Sequence, residues 1–220
     1  MVTTVYLVRH CQSTGNTEGR FQGQFDAPVG EEGRKQLALL ALRFRNEPID
    51  GIYSSPLTRA METAKAVNEF HGLPIIAHPG LIEIGAGDIE NMPVTEVIEK
   101  YPELSRHWME TPDLCRFPHG ETMRQVYDRV NAAIDGILAE NPGKRLFVAT
   151  HGGVLRNIYA RVAHGCPEGV RDGTVFGNTG VNVLEAEDGR LRFTQVNDLD
   201  HLPPELRRKP TIYTFGRDPV

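Results

Sequence analysis

Residues 5–13 read Val5-Tyr6-Leu7-Val8-Arg9-His10-Cys11-Gln12-Ser13, and this stretch decides the fold. Its four leading apolar residues do not alternate with polar ones, a pattern typical of a strand buried on both faces of a parallel sheet. Ligands of open α/β sheets bind beyond the carboxyl ends of such strands. We therefore expect Arg9 and His10 to lie at a ligand site. By itself, however, an Arg-His pair more often marks a buried histidine beside a surface arginine.

The composition narrows the class of protein. A chain of 220 residues with a net charge of −5 is expected to form one domain over residues 1–220 that binds neither nucleic acid nor membranes in general. The N-terminus lacks a basic region and every apolar run is short, which favours a cytoplasmic protein. The three cysteines are widely separated, so the spacing indicates neither disulfides nor a metal site.

Strand and helix patterns alternate along the chain. This alternation predicts an α/β fold, a three-layer sandwich with a mostly parallel central sheet and helices on both faces. A polar loop over 12–28 and an irregular excursion at about 85–119 interrupt the pattern, and we expect the excursion to cover the carboxyl edge of the sheet. The tail after Asn197 is expected to lie over the surface.

The individual elements follow from local patterns. Strands are predicted at 49–53, 73–77 and 145–150, and helices at 31–45 and 123–138. A further helix is predicted to start at Ser54-Ser55-Pro56 with serine as the cap, another follows His151, and Asp188-Gly189 indicates a late hairpin.

Four cationic or titratable side chains follow the predicted strands. Arg9 and His10 end the first strand, Arg59 lies in the first turn of a helix, and His151 precedes two glycines. If the strands are parallel neighbours, these groups meet at one edge and repel one another unless an anion lies between them. Phosphate fits best, because guanidinium groups bind its oxygens in a bidentate manner and helix N-termini offer free N–H groups.

Glu83 lies between two isoleucines, where a carboxylate needs a partner or a catalytic task. The remaining histidines match no metal-ligand spacing and are interpreted as solvated or capping residues, namely His71, His78, His107, His119, His164 and His201. Of these, His119 lies beside the excursion and, together with Arg116, is a candidate for substrate contact.

An ordered set of short motifs spans residues 5 to about 157. Together these motifs resemble the histidine phosphatase superfamily, also called phosphoglycerate mutase-like, in its phosphatase branch. The matching pieces are Leu7-Val8-Arg9-His10-x-Gln12-Ser13-x-x-Asn16, Arg20-Phe21-Gln22-Gly23, Ser54-Ser55-Pro56-Leu57-x-Arg59-Ala60, Thr63-Ala64, Leu81-x-Glu83, Pro118-x-Gly120-Glu121 and His151-Gly152-Gly153-Val154.

The resemblance implies a metal-independent phosphomonoesterase that needs no cofactor. His10 would be the nucleophile that forms a phosphohistidine, since an imidazole with a pKa of about 6.5 can be neutral at pH 7. Glu83 would protonate the leaving oxygen and then activate water, and its apolar neighbours suit a carboxyl that holds a proton. The implied phosphate-binding residues are Arg9, Arg59 and His151, with Asn16, Gln22, Gly23 and Gly152 as secondary candidates.

One position departs from the family pattern. Cys11 stands where the family usually has glycine, and its side chain could crowd the phosphate or make the site sensitive to oxidation. His10-Cys11 also resembles the start of a cysteine phosphatase loop, but that loop needs an arginine six residues after the cysteine, and position 17 is threonine.

Two alternative functions stay open. Mutases share the catalytic residues, but glycolytic mutases carry an insertion after the acid glutamate, whereas Glu83 leads directly into Ile84-Gly85-Ala86. A phosphate-binding protein disabled by Cys11 is the other alternative. The resemblance leaves the substrate unnamed; a small phosphorylated metabolite, with inorganic phosphate as product, is expected, and a homodimer is common among relatives.

Overall fold

The computed structural model describes residues 1–172 and 174–207. Its strands are β1 (Thr3–Arg9), β2 (Arg20–Phe21), β3 (Gly51–Ser54), β4 (Ile75–Ala77), β5 (Met92–Pro93), β6 (Arg145–Thr150), β7 (Val181–Glu187) and β8 (Arg190–Asp198). Its α-helices are α1 (Thr14–Thr17), α2 (Glu31–Phe44), α3 (Thr58–Asn68), α4 (Val94–Lys100), α5 (Pro102–Glu110), α6 (Met123–Glu140) and α7 (Gly152–His164). Short 3-10 turns occupy Pro79–Leu81, Gly87–Ile89, Pro112–Leu114, Pro167–Asp172 and Pro204–Leu206.

The central sheet has six strands in the order β4-β3-β6-β1-β7-β8. The strands from β4 to β1 are parallel, and the hairpin of β7 and β8 adds two antiparallel strands beside β1. The expectation of a mostly parallel sheet is therefore confirmed. Because β3, β6 and β1 are parallel neighbours, their carboxyl ends open at the same edge of the sheet.

Helices cover both faces of this sheet, as predicted. The alternating side chains of β6 show why, since Leu146 and Val148 belong to one buried apolar cluster and Phe147 and Ala149 to the other. The first cluster includes apolar residues of α6 and α7, and the second includes residues of α2 and α3. A strand apolar at successive positions is stable only between two such layers.

The structure corrects two local predictions. The loop over 12–28 contains α1 and β2, and several of its polar residues, among them Gln12, Ser13 and Gln22, are buried. Helix α3 begins at Thr58, without a serine cap, because Asp26 accepts hydrogen bonds from the Thr58 backbone N–H at 2.8 Å and hydroxyl at 2.6 Å. A carboxylate from a distant loop thus caps this helix, which local sequence does not reveal.

The segment after Glu83 folds against the same edge of the sheet. Strand β5 pairs with β2, and helices α4 and α5 follow. Trp108 of α5 packs against Phe21 and Phe117, with ring centroids 5.2 and 5.7 Å away. These aromatic contacts join the segment to the loop that follows β1.

The last described residues pack onto the domain. Leu202 is 1% exposed and Leu206 is 8% exposed, so this part of the expected surface tail contributes buried side chains. The remainder of that tail, 208–220, lies outside the described residues. Within 1–172 and 174–207, no helix is both long and apolar enough to cross a membrane.

Candidate active site

Residues from several separate segments line a small pocket at the carboxyl edge of the sheet. Arg9 is the last residue of β1, His10 follows it, and Arg59 reaches in from the first turn of α3. The other lining residues are Asn16, Phe21, Gln22, Gly23, Glu83, Ile84 and Trp108. Seven residues predicted from sequence therefore share one pocket, although they are spread over positions 9 to 83.

His10 is fixed by its own backbone neighbourhood. Its Nδ1 lies 2.6 Å from the carbonyl oxygen of Cys11, an acceptor only, so Nδ1 carries the proton and donates. The backbone N–H of His10 donates to Thr150 O at 2.8 Å, and the amide of Asn178 donates to His10 O at 2.9 Å. The lone pair of a neutral His10 is therefore on Nε2.

Burial and charge keep the two histidines of the site neutral. His10 is 2% exposed and its pKa is held well below 6.5, first by desolvation and then by the cations Arg59 and Arg9. Burial and the same arginines also lower the pKa of His151, whose ring centroid is 5.1 Å from that of His10. The residues that line the pocket do not include His151 or the following Gly152.

Arg59 is buried and held by backbone carbonyls. Its Nη1 donates to Phe25 O at 2.9 Å and its Nη2 to Gly23 O at 2.8 Å. Desolvation lowers the pKa of Arg59 to about 10, so the guanidinium is charged at pH 7. Its Nε is buried and has no hydrogen-bond partner among residues 1–172 and 174–207. A buried cationic donor of this kind is stabilised by a bound anion.

The segment from Phe176 to Gly180 holds the end of β1. Arg9 donates from Nη1 to Phe176 O at 2.6 Å, and the backbone N–H of Thr179 donates to Arg9 O at 3.0 Å. Thr179 has φ +55°, a strained conformation for a β-branched residue. Strain tolerated beside the reactive histidine is consistent with a positioning task for this segment.

Two amide side chains complete the pocket wall. Gln22 Oε1 lies 2.6 Å from Ser13 Oγ, and Asn16 Oδ1 accepts from the Ser13 backbone N–H at 3.1 Å. Since both carbonyl oxygens are engaged, the amide groups are oriented with their NH₂ donors free to turn towards an anion. Gly23 has φ +52°, which favours glycine, and its carbonyl is the one that Arg59 binds.

The carboxylate of Glu83 is held by backbone donors. Its Oε1 accepts from the Ile84 N–H at 2.9 Å and its Oε2 from the Gly153 N–H at 3.2 Å. The carboxylate between the two isoleucines therefore has partners, and these partners are backbone N–H groups. The backbone of this segment is in turn bound by Arg129, whose Nη1 donates to Gly80 O at 3.0 Å and to Ile82 O at 2.9 Å.

Cys11 does not face the pocket. Its backbone N–H donates to Thr63 Oγ1 at 3.0 Å, and its Sγ lies 3.7 Å from Arg59 O, so the side chain packs against α3. It is fully buried, and desolvation raises the pKa of the thiol to about 12. The expectation that Cys11 crowds the phosphate is therefore wrong, and a buried thiol with a raised pKa is a poor target for oxidation.

Other expectations concern residues outside the pocket. His119 is exposed and pairs with Asp88 at 3.0 Å, and Arg116 lines a separate cavity beside α5, so neither reaches the pocket. The sequence patterns did not point to Trp108, which lies in the irregular excursion and lines the pocket. No group of three or more His, Cys, Asp or Glu in the described part of the chain is placed to hold a metal ion.

The sequence and the fold both match known proteins. The model of the histidine phosphatase superfamily (branch 1) matches residues 5–199. Phosphoserine phosphatase 1 of Hydrogenobacter thermophilus is 39% identical over 153 residues, 70% of this chain and 72% of the relative. A metal-independent phosphoserine phosphatase of Arabidopsis thaliana is 34% identical over 205 residues, 91% of this chain and 84% of the relative.

Two further similarities bear on fold and activity. The structure of YhfR of Bacillus stearothermophilus has a TM-score of 0.86 at 30% identity and covers 90% of this chain and 98% of its own. A probable phosphoglycerate mutase of Yersinia pestis is 35% identical over 151 residues, 69% of this chain and 70% of the relative. The chain belongs to the histidine phosphatase superfamily and is an enzyme that acts on small phosphomonoesters.

Proposed function

We propose that this enzyme is a metal-independent phosphatase whose substrate is phosphoserine or a similarly small phosphomonoester, and that His10 is its nucleophile. One observation carries the proposal. A buried, neutral His10 donates from Nδ1 to a backbone carbonyl, which leaves Nε2 as the lone-pair atom in a pocket lined by Arg9 and Arg59. A lone pair beside two guanidinium groups suits attack on a phosphoryl group.

In the first step, His10 Nε2 attacks phosphorus and the bond from phosphorus to the ester oxygen breaks. Glu83 in its acid form gives its proton to the leaving oxygen. Arg9 and Arg59 hold the phosphoryl oxygens and stabilise the charge that spreads over them in the transition state. The amide donors of Asn16 and Gln22 and the buried Arg59 Nε suit the same oxygens.

In the second step, the Glu83 carboxylate takes a proton from a water molecule while that water attacks the phosphohistidine. The bond between phosphorus and nitrogen breaks, and inorganic phosphate leaves with His10 neutral again. Glu83 regains its proton, so the cycle closes without a metal or another cofactor. Two carbonyl-held arginines supply the positive charge that a metal ion would supply elsewhere.

The choice of phosphoserine rests on the names of two relatives, one of which is described as metal-independent. Phe21, Ile84 and Trp108 also line this small pocket, and such a narrow, partly aromatic lining suits a small leaving group. We also propose that residues 1–220 form a single domain in which the excursion at 85–119 covers the site. The homodimer stays a prediction, which light scattering would test.

The test compares the wild-type enzyme with His10→Ala and Glu83→Gln in the presence of EDTA, using p-nitrophenyl phosphate and phosphoserine. We expect turnover of both substrates by the wild type, none by His10→Ala, and a kcat lowered about 100-fold or more in Glu83→Gln. Quenching in alkaline denaturant during turnover should trap phosphate on His10, because the phosphorus–nitrogen bond of a phosphohistidine is stable in base and labile in acid. Equal activity in His10→Ala and wild type would overturn the proposal.

The same assay separates the alternatives. A mutase would interconvert phosphoglycerates faster than it releases phosphate from them. A phosphate-binding protein without activity would hydrolyse nothing under any of these conditions. The direct run from Glu83 into Ile84, without an insertion, favours hydrolysis over the mutase reaction.

A further inference from the structure

Ser55 is buried beside the second histidine of the site and was expected only to help start a helix. It follows β3, is 0% exposed, and its Oγ lies 2.7 Å from Nε2 of His151, which is also fully buried. The same Oγ accepts a hydrogen bond from the backbone N–H of Leu57 at 3.3 Å. The hydroxyl group therefore has two neighbours, one of which can only donate to it.

Counting donors and acceptors shows which of Ser55 and His151 donates the hydrogen bond between them. A serine hydroxyl has one proton to donate and two lone pairs, and the Leu57 N–H occupies one lone pair. If His151 Nε2 carried the ring proton, the Ser55 proton would have no acceptor among the residues that the structure describes. If Ser55 donates to Nε2, each group is satisfied and the imidazole proton must be on Nδ1.

The other nitrogen of this ring is the one without a partner. His151 Nδ1 is buried and has no hydrogen-bond partner among residues 1–172 and 174–207. The ring belongs to the cationic neighbourhood of His10, Arg9 and Arg59. A bare Nδ1 lone pair would repel phosphoryl oxygens there, whereas an Nδ1–H group would donate to them.

We propose that Ser55 is a positioning residue that holds neutral His151 as its Nδ1–H tautomer, so that His151 donates a hydrogen bond to the phosphoryl group transferred to His10. The inference rests on the proposed function, because it assigns the proton at a site that binds a phosphoryl group. Neutrality makes the tautomer matter, since a charged imidazolium would donate from both nitrogens.

The test uses three variants. Ser55→Ala removes the hydroxyl donor, and Ser55→Thr restores it on a larger side chain. Ser54→Ala is the matched control, because Ser54 is also fully buried but its hydroxyl donates to Ser55 O at 2.8 Å and not to His151. ¹⁵N chemical shifts report the tautomer of His151, assigned with a His151→Gln variant, and need no turnover.

In the wild type we expect His151 with its proton on Nδ1. In Ser55→Ala the proton should move to Nε2 in a substantial share of molecules, and kcat should fall about tenfold, which equals the loss of about one good hydrogen bond. Ser55→Thr should recover most of the rate and the wild-type tautomer. Ser54→Ala should keep both the tautomer and kcat close to wild type.

Two results would overturn the inference. One is a wild-type His151 that carries its proton on Nε2, which can be measured even if no Ser55 variant folds. The other is a Ser54→Ala variant that loses as much activity as Ser55→Ala, which would mean a general packing effect. The proposed function fails separately, through an active His10→Ala enzyme, and that result would leave the tautomer measurement intact.

Discussion

The backbone N–H of Gly153 donates to Oε2 of Glu83 at 3.2 Å, so the second residue of α7 holds the carboxylate that we assign as the proton donor. A Cβ added at Gly153 would overlap Oε1 of the same carboxylate. In this arrangement the carboxylate that moves the proton occupies the space that a side chain at position 153 would need.

Replacing Gly153 with alanine should displace the Glu83 carboxylate and lower kcat about 100-fold, because a shift of about 1 Å in a reacting group lowers the reaction rate by about this factor. Steady-state kinetics on p-nitrophenyl phosphate measure the effect. Gly136→Ala is the control, since Gly136 is exposed in the middle of α6 with open space around it. It should raise the free energy of unfolding by about 0.5–1 kcal/mol and leave kcat unchanged. A Gly153→Ala enzyme within twofold of wild type contradicts the role of this contact.

Arg129 positions the segment that carries Glu83. It binds Glu121 with two hydrogen bonds, of 2.9 and 2.8 Å, and also donates to two backbone carbonyls before Glu83. Arg129→Met should lower kcat at least tenfold and destabilise the fold by about 2–3 kcal/mol, because it leaves a charged partner and carbonyls unpaired. Arg124→Met on the same helix removes only an exposed pair with Asp128 and should change stability by less than about 1 kcal/mol. Steady-state kinetics and urea unfolding of both variants measure kcat and the free energy of unfolding. Equal losses in Arg129→Met and Arg124→Met would contradict the positioning role of Arg129.

The pH dependence of the nucleophile follows from its environment. Burial, then Arg59 and Arg9, lower the pKa of His10 well below 6.5, and His151 and Glu83 are its other titratable neighbours. His10 should therefore stay neutral as the pH falls from 7 through 6.5, and acid should inactivate it only below that range. NMR titration of the free enzyme measures His10 directly, without the ionisation of the substrate. A titration of His10 at or above pH 6.5 would be inconsistent with this environment.

Histidines whose pKa is lowered by desolvation should also make the fold less stable in mild acid. Desolvation lowers the pKa of His201 to about 4 and those of His10 and His151 well below 6.5. Between pH 6.5 and these lowered values only the unfolded chain binds the protons, so the free energy of unfolding falls as the pH falls, by about 1.4 kcal/mol per pH unit for each such histidine. Urea unfolding at pH 7 and pH 5 should show the loss, and His201→Gln should reduce it. A stability that is independent of pH between 7 and 5 would refute the prediction.

Cys11 should behave as a small core residue. Because it is fully buried with a raised pKa, a thiol reagent should modify the half-buried Cys166 in the folded protein but leave Cys11 unreacted. Cys11→Ala should keep kcat within about threefold and lower the free energy of unfolding by about 1–2 kcal/mol through lost packing. Mass spectrometry after labelling and kinetics of this variant measure both, with Cys166→Ala as the control. Loss of activity on brief peroxide treatment of a Cys166→Ala enzyme would contradict the prediction.

Much of the fold was readable from local patterns. The uninterrupted apolar run before Arg9 predicted a strand covered on both faces, and it lies between two helical layers. The spacing of apolar residues after Met123 predicted α6, because that spacing follows the helical repeat. The late hairpin was found through Asp188-Gly189, since Asp188 has φ +49° and Gly189 has φ +77°.

Other features depended on contacts between distant residues. Asp26 caps α3 from more than thirty positions away, so the serines next to the helix gave the wrong start. Cys11 turns its side chain towards Thr63 and Arg59, and nothing local to position 11 shows that direction. The partners of the Glu83 carboxylate could not be predicted for the same reason, because Gly153 meets this carboxylate from another element.

The sequence by itself determined the sheet, its helical layers and the chemical types of side chain that follow each strand. This was possible because the spacing of apolar residues and the backbone preferences of each residue type depend only on residues close together in the chain. Only the tertiary structure decided which atoms of those side chains meet, since a hydrogen bond depends on positions set by packing across the whole domain. Ser55 and His151 illustrate the difference, as they lie 96 positions apart and 2.7 Å from each other.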